Sequence, residues 1–235
     1  VSAVATTRST TAWERYAWVA GIVFVVALLA ESVVATGIGL TQNDSAAKIA
    51  SGLHEHRERA LVIAYLSAIY AVAFVIYLCG LYNLLRRDAD DARLLTYLVL
   101  VGGVLFVALH AVSDVGLTGL LGAKLASYGD QHDPGLSYAL YLVTYALDSV
   151  GDVFGSLAAV AAGLLVMKND VLPRWLGWVS IVAGVFFFLQ GFGLGGVIAG
   201  FGLVLDLIAF VLFLFFVLAS SVILLRRTSP AAAAS

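Results

Sequence analysis

An all-α, polytopic membrane bundle of six transmembrane helices is the fold class that three observations predict. Hydrophobic residues make up 62% of the 235-residue chain and charged residues 12%. Mean hydropathy is +1.00, and apolar runs recur at the roughly 20-residue length that crosses a bilayer as helix. The runs lack the alternation of barrel strands, and only helices or closed barrels satisfy their backbone groups in lipid.

The six runs fall near 16–40, 60–85, 94–122, 136–167, 174–197 and 203–225. The opening residues lack a short apolar signal with a small-residue cleavage site, so the first span is expected to stay as an anchor. An even count places both termini on one side. That side carries Arg8, Arg15, Arg86, Arg87, Arg93, Lys168, Arg174, Arg226 and Arg227, against Lys48, Arg57, Arg59 and Lys124 opposite. Nine bases against four predict cytoplasmic N and C termini. Trp13, Trp18, Trp175 and Trp178 then fall at the cytoplasmic interface, where an indole is at home.

Between spans one and two, Asn43-Asp44-Ser45 is a helix-start signal for an amphipathic stretch from Ala46 to Arg59, expected on the outer surface. Tyr128-Gly129-Asp130 and Asp133-Pro134-Gly135 carry turn chemistry. After span five, Gly191/Gly195 and Gly196/Gly200 have small-xxx-small spacing that admits close helix packing. Residues 1–227 read as one six-helix domain and 228–235 as a disordered tail.

A string recurs in spans one, three and five: Val19-Ala20-Gly21-Ile22-Val23-Phe24, Val101-Gly102-Gly103-Val104-Leu105-Phe106 and Val182-Ala183-Gly184-Val185-Phe186-Phe187. The glycines Gly21, Gly103 and Gly184 are 82 and 81 residues apart, the period of a helical hairpin repeated three times. The small alphabet of membrane helices produces such strings by chance as well.

The formal charge is −2, but removing Glu31, Asp114, Asp148, Asp152 and Asp206 from the 15 acids leaves 10 against 13 Lys+Arg. The water-facing surface is therefore mildly basic. Those five acids and His110 lie inside the apolar runs, where ionisable groups are costly and mark a pathway or a site. Without an internal Lys or Arg they need protons, a metal, a cationic ligand or bases reaching in from the outer loops, Arg57 and Arg59 being candidates.

Counting from the basic anchor of each span places Glu31, His110, Asp152, Gln190 and Tyr70 about 24–26 Å from the basic ring, and Asp114, Asp148 and Asp206 about 30 Å. Tilt blurs these depths by several ångströms at most, and none of the acids falls in the inner half. His110 and Asp114 are four residues apart, as are Asp148 and Asp152, so each pair should face one way. Tyr141, Tyr145, Asp148 and Asp152 form one stripe on span four, and His110, Asp114 and Thr118 another on span three.

Three readings compete. Glu31, His110, Asp114, Asp148, Asp152, Asp206, Tyr70, Tyr145 and Gln190 would serve the binding or transport of a proton, a cation or an amine-bearing solute in an outward-facing acidic cavity. Alternatively, His110, Asp114, Asp148 and Asp152 would hold a divalent metal that activates water, making an intramembrane hydrolase. A single intramembrane histidine counts against that, since zinc enzymes commonly use two or three. Thirdly, protonated carboxyls would glue helices together. His54-Glu55-His56 reads as a solvated segment rather than a metal site. Cys79 is alone, a small packing residue rather than a disulfide or thiolate ligand. No phosphate-binding loop, dinucleotide fingerprint, HExxH or GxSxG occurs. The expected partners are membrane lipids and a small cation or metal, not nucleic acid.

The segment Leu172-Pro173-Arg174-Trp175-Leu176-Gly177-Trp178, followed by Val182-Ala183-Gly184-Val185, resembles an uncharacterised bacterial six-span membrane protein family, domain of unknown function 4386. The span order and the polar first outer loop are similar too, so the resemblance covers roughly 18–200. It implies a multi-pass protein of the bacterial cytoplasmic membrane and transfers no activity.

Overall fold

A computed structural model describes residues 12–41, 43–86, 92–115, 134–169, 171–192 and 202–227. Seven helices are described: α1 (Ala12–Thr36), α2 (Ala46–Glu55), α3 (Arg57–Arg86), α4 (Arg93–Ala111), α5 (Pro134–Asn169), α6 (Arg174–Phe192) and α7 (Gly202–Arg227). All but α2 belong to stretches long and apolar enough to span a bilayer. The expected turns at 128–130 and 133–135 (in part), the glycines at 195, 196 and 200, Thr118 and the tail at 228–235 lie outside the described residues.

The spans form a closed ring in chain order. Each packs on its neighbours in sequence, and α1 closes the ring against α7. Arg227 donates to the Val171 carbonyl and Asn169 to the Leu85 carbonyl, which gathers the far ends of α3, α5 and α7 at one end. The other end carries α2.

Ser45 caps α2 by accepting from the Lys48 N–H, as an oxygen-bearing N-cap residue should. The helix stops at His56 and α3 starts at Arg57, so the amphipathic stretch expected to reach Arg59 is shorter and its last residues begin a membrane span. Ile49 and Leu53 are the buried face of α2, which rests mainly on α5. Arg59 does not fold over the acids. Its guanidinium donates to the Gly37 carbonyl, just beyond the end of α1.

Small residues set how closely α5 and α6 approach. A Cβ at Gly177 would meet the Gly163 carbonyl, one at Gly184 the Ser156 carbonyl and one at Gly191 the Ser149 carbonyl, at 2.8, 3.0 and 2.9 Å. Three glycines on α6 thus meet Gly163, Ser156 and Ser149 on α5, all at seven-residue intervals running in opposite directions. A strict heptad contact matches the 3.5-residue period of left-handed antiparallel packing. Gly191 therefore packs closely against α5.

Two outward expectations change. Trp18 is buried at 2% exposure, edge-on to Tyr77, whereas Trp13, Trp175 and Trp178 lie on the surface. Cys79 is exposed on the bundle, so it does not fill a packing gap.

Candidate functional site

Polar side chains from all six spans converge toward the α2 end. Tyr70 on α3 donates to Asp114 Oδ2 at 2.7 Å, and Ser67, one turn earlier and fully buried, donates to the same oxygen at 3.3 Å. His110 on α4 places Nε2 3.5 Å from Asp152 Oδ1 on α5. Glu31 on α1 lies within electrostatic reach of Asp114, Asp148 and His110. Asp206 on α7 is within electrostatic reach of Asp152 and lies near Gln190 on α6.

His110 and Asp114 do not share one face as four-residue spacing implies. Residues 112–115 form a π-helical turn, which adds a residue to the turn and rotates the chain beyond it. His110 consequently meets Asp152 on α5 while Asp114 meets α3. Ser113, also in this turn, donates to the Thr144 carbonyl at 3.4 Å and lies near Asp148.

The tautomer of His110 is set by its partners. Nδ1 lies 2.9 Å from the Phe106 carbonyl, an acceptor, so this nitrogen carries a proton. Nε2 is then the nitrogen that faces Asp152, 3.5 Å from its Oδ1. Gly151 makes room for the ring, since a Cβ there would lie 2.7 Å from the imidazole. The electrostatic neighbours of His110 include Glu31, Asp114, Asp148, Asp152 and Asp206. One imidazole therefore stands among five carboxyls.

Some predicted members stand apart. Tyr145 pairs edge-on with Tyr141 at 5.4 Å, less than a turn from Asp148, while Tyr141, a further turn along, lies within electrostatic reach of both Asp44 and Asp148. Asp206 is the most exposed of the acids. Among the described residues no three His, Cys, Asp or Glu side chains group closely enough to hold a metal ion. The segment His54–Arg59 lines a separate cleft of about 570 Å³ beside α2.

Beneath the polar layer lies a floor with no counterpart in the sequence expectations. Phe24, Phe74, Phe106, Phe187 and Phe213, from five different spans, form one cluster with ring centroids 4.8–5.9 Å apart. The sixth span, α5, contributes Gly155, where a Cβ would lie 2.6 Å from the Phe106 ring. Each phenylalanine is three to seven residues from a polar-layer residue on its own helix, so the floor sits roughly 5–10 Å further in. A signal existed: Phe24, Phe106 and Phe187 end the three recurring strings. Ser67 was findable as well, three residues before Tyr70 on the same helical face.

Six apolar spans in a ring, with ionisable groups turned inward over an aromatic floor, define a multi-pass integral membrane protein. Residues 19–226 match the family described as domain of unknown function 4386, and the chain belongs to that family. No curated protein and no solved structure matches it.

Proposed function

We propose that the polar layer binds a proton, a cation or an amine-bearing solute and carries it part of the way across a bacterial cytoplasmic membrane. The termini face the cytoplasm and the acids open outward. One observation carries the reading: five carboxyls around a single imidazole, with tyrosine and serine hydroxyls, glutamine and each other as their named partners. Five like charges in a low-dielectric interior hold no more than a fraction of their charge without an incoming positive species. The phenylalanine floor supports the direction, because it separates the layer from the basic end.

The test is cation-linked proton release from purified protein in lipid nanodiscs. Wild type should release protons on adding the bound cation, while Asp114→Asn and Asp152→Asn release fewer and bind more weakly. Unchanged binding with altered melting alone would leave the carboxyls as packing glue. A metal-dependent hydrolase built on His110, Asp114, Asp148 and Asp152 is the alternative, and the absence of a three-ligand group among the described residues weighs against it.

A further inference from the structure

Among the described residues, two buried oxygens in the polar layer accept no hydrogen bond: Asp148 Oδ1 on α5 and Gln190 Oε1 on α6. An unsatisfied buried polar atom costs about 1–3 kcal/mol, so two beside one helix crossing call for an explanation. The amide oxygen only accepts, and the carboxyl oxygen only accepts once Asp148 is ionised by an incoming positive charge. They flank the same crossing, each one residue from the Ser149–Gly191 contact. What satisfies them must donate hydrogen bonds from near α5 and α6, beside the carboxyls of Asp152 and Asp206.

The rest of the site narrows the donor. A bare divalent ion needs several converging oxygen or nitrogen ligands, and no such group of three is formed among the described residues. His110 already uses Nδ1 on the Phe106 carbonyl and turns Nε2 to Asp152. A quaternary ammonium has charge but no N–H. Phe106 and Phe187, which meet at 5.7 Å, lie one turn below His110 and Gln190; both are buried, and an aromatic face attracts a cation that enters the layer above it.

Resting on the cation reading above, we propose that the ligand is a protonated primary amine with a short apolar body. Its ammonium donates to Asp148 Oδ1 and Gln190 Oε1, and its hydrocarbon lies on the phenylalanine floor. The Asp148 carboxylate supplies the countercharge, and Gln190 selects N–H over a bare charge.

The experiment measures binding to the full-length protein in nanodiscs with four probes: n-butylammonium, n-hexylammonium, tetraethylammonium and sodium. Both primary amines should bind, hexylammonium more tightly, and tetraethylammonium should bind at least tenfold more weakly. Gln190→Leu should weaken butylammonium about tenfold, the effect of one hydrogen bond to a charged group. Asp148→Asn should weaken it further, and this near-isosteric change serves if Gln190→Leu does not fold. Equal binding of tetraethylammonium, or amine binding indifferent to both variants, overturns the assignment. Sodium-linked proton release that depends on Asp114 and Asp152, without amine binding, also overturns it while the general cation reading stands. Silence from all four probes, with no proton release, overturns both.

Discussion

At the scale of single residues, the contacts of the polar layer make distinct predictions. Tyr70→Phe removes the shorter of the two hydrogen bonds to Asp114 Oδ2 and should cost about 1–3 kcal/mol in reversible unfolding from detergent micelles. Combined with Asp114→Asn, the loss should be less than additive, because both changes break one interaction. An additive double mutant would mean that the phenol and carboxyl act independently. Gly151→Ala places a methyl group against the His110 imidazole, 2.7 Å away in the unshifted structure. It should displace Nε2 from Asp152, and a histidine ¹⁵N spectrum unchanged in both shift and pH dependence would refute that coupling. These residues were identifiable from sequence as costly intramembrane groups. Their partners were not, because the π-helical turn at 112–115 redirects Asp114 and no local pattern announces it.

At the scale of elements, the α5–α6 seam is a heptad of small residues, and its central contact is Gly184 against Ser156 and Val160. Gly184→Val would drive a branched side chain into the neighbouring backbone and should destabilise by about 1–3 kcal/mol or more. Gly39, where an added Cβ meets nothing but φ is +64°, provides a contrast in which only backbone conformation is penalised. The start of α2 should respond to acid. Lys48 Nζ at 2.6 Å and the Thr41 N–H at 2.8 Å hold the Asp44 carboxyl below its ordinary value of 3.8. A lowered folded pKa contributes stability above the unfolded value, lost as pH falls through the folded one. A spin-label distance between α2 and α5 should stay sharp near neutral pH and broaden below about pH 4. Asp44→Asn should broaden it at every pH, and a flat acid profile in the wild type would contradict this role.

At the scale of the whole molecule, the closed ring and its phenylalanine floor divide a polar half at the α2 end from an apolar half at the opposite end. Phe213 touches Phe24, Phe74, Phe106 and Phe187, so Phe213→Ala should open the floor most. It should lower stability by about 3–5 kcal/mol and increase hydrogen exchange at the backbone around Tyr77, whose hydroxyl pairs with Ser220 at 2.7 Å on the far side of the floor from the acids. Unchanged exchange there would show that the seal lies elsewhere. The number of spans and their order were legible in the chain itself, since transfer into hydrocarbon depends on local composition and helix length. Which face each helix turns inward, the partners of Asp114 and His110, the burial of Trp18 and the meeting of five phenylalanines were decided only by tertiary structure. Lipid tails are as apolar as a leucine, so no hydrophobic gradient orients one helix against another. Close packing of small residues and pairing of polar groups do so instead, across distances that no local stretch of sequence encodes.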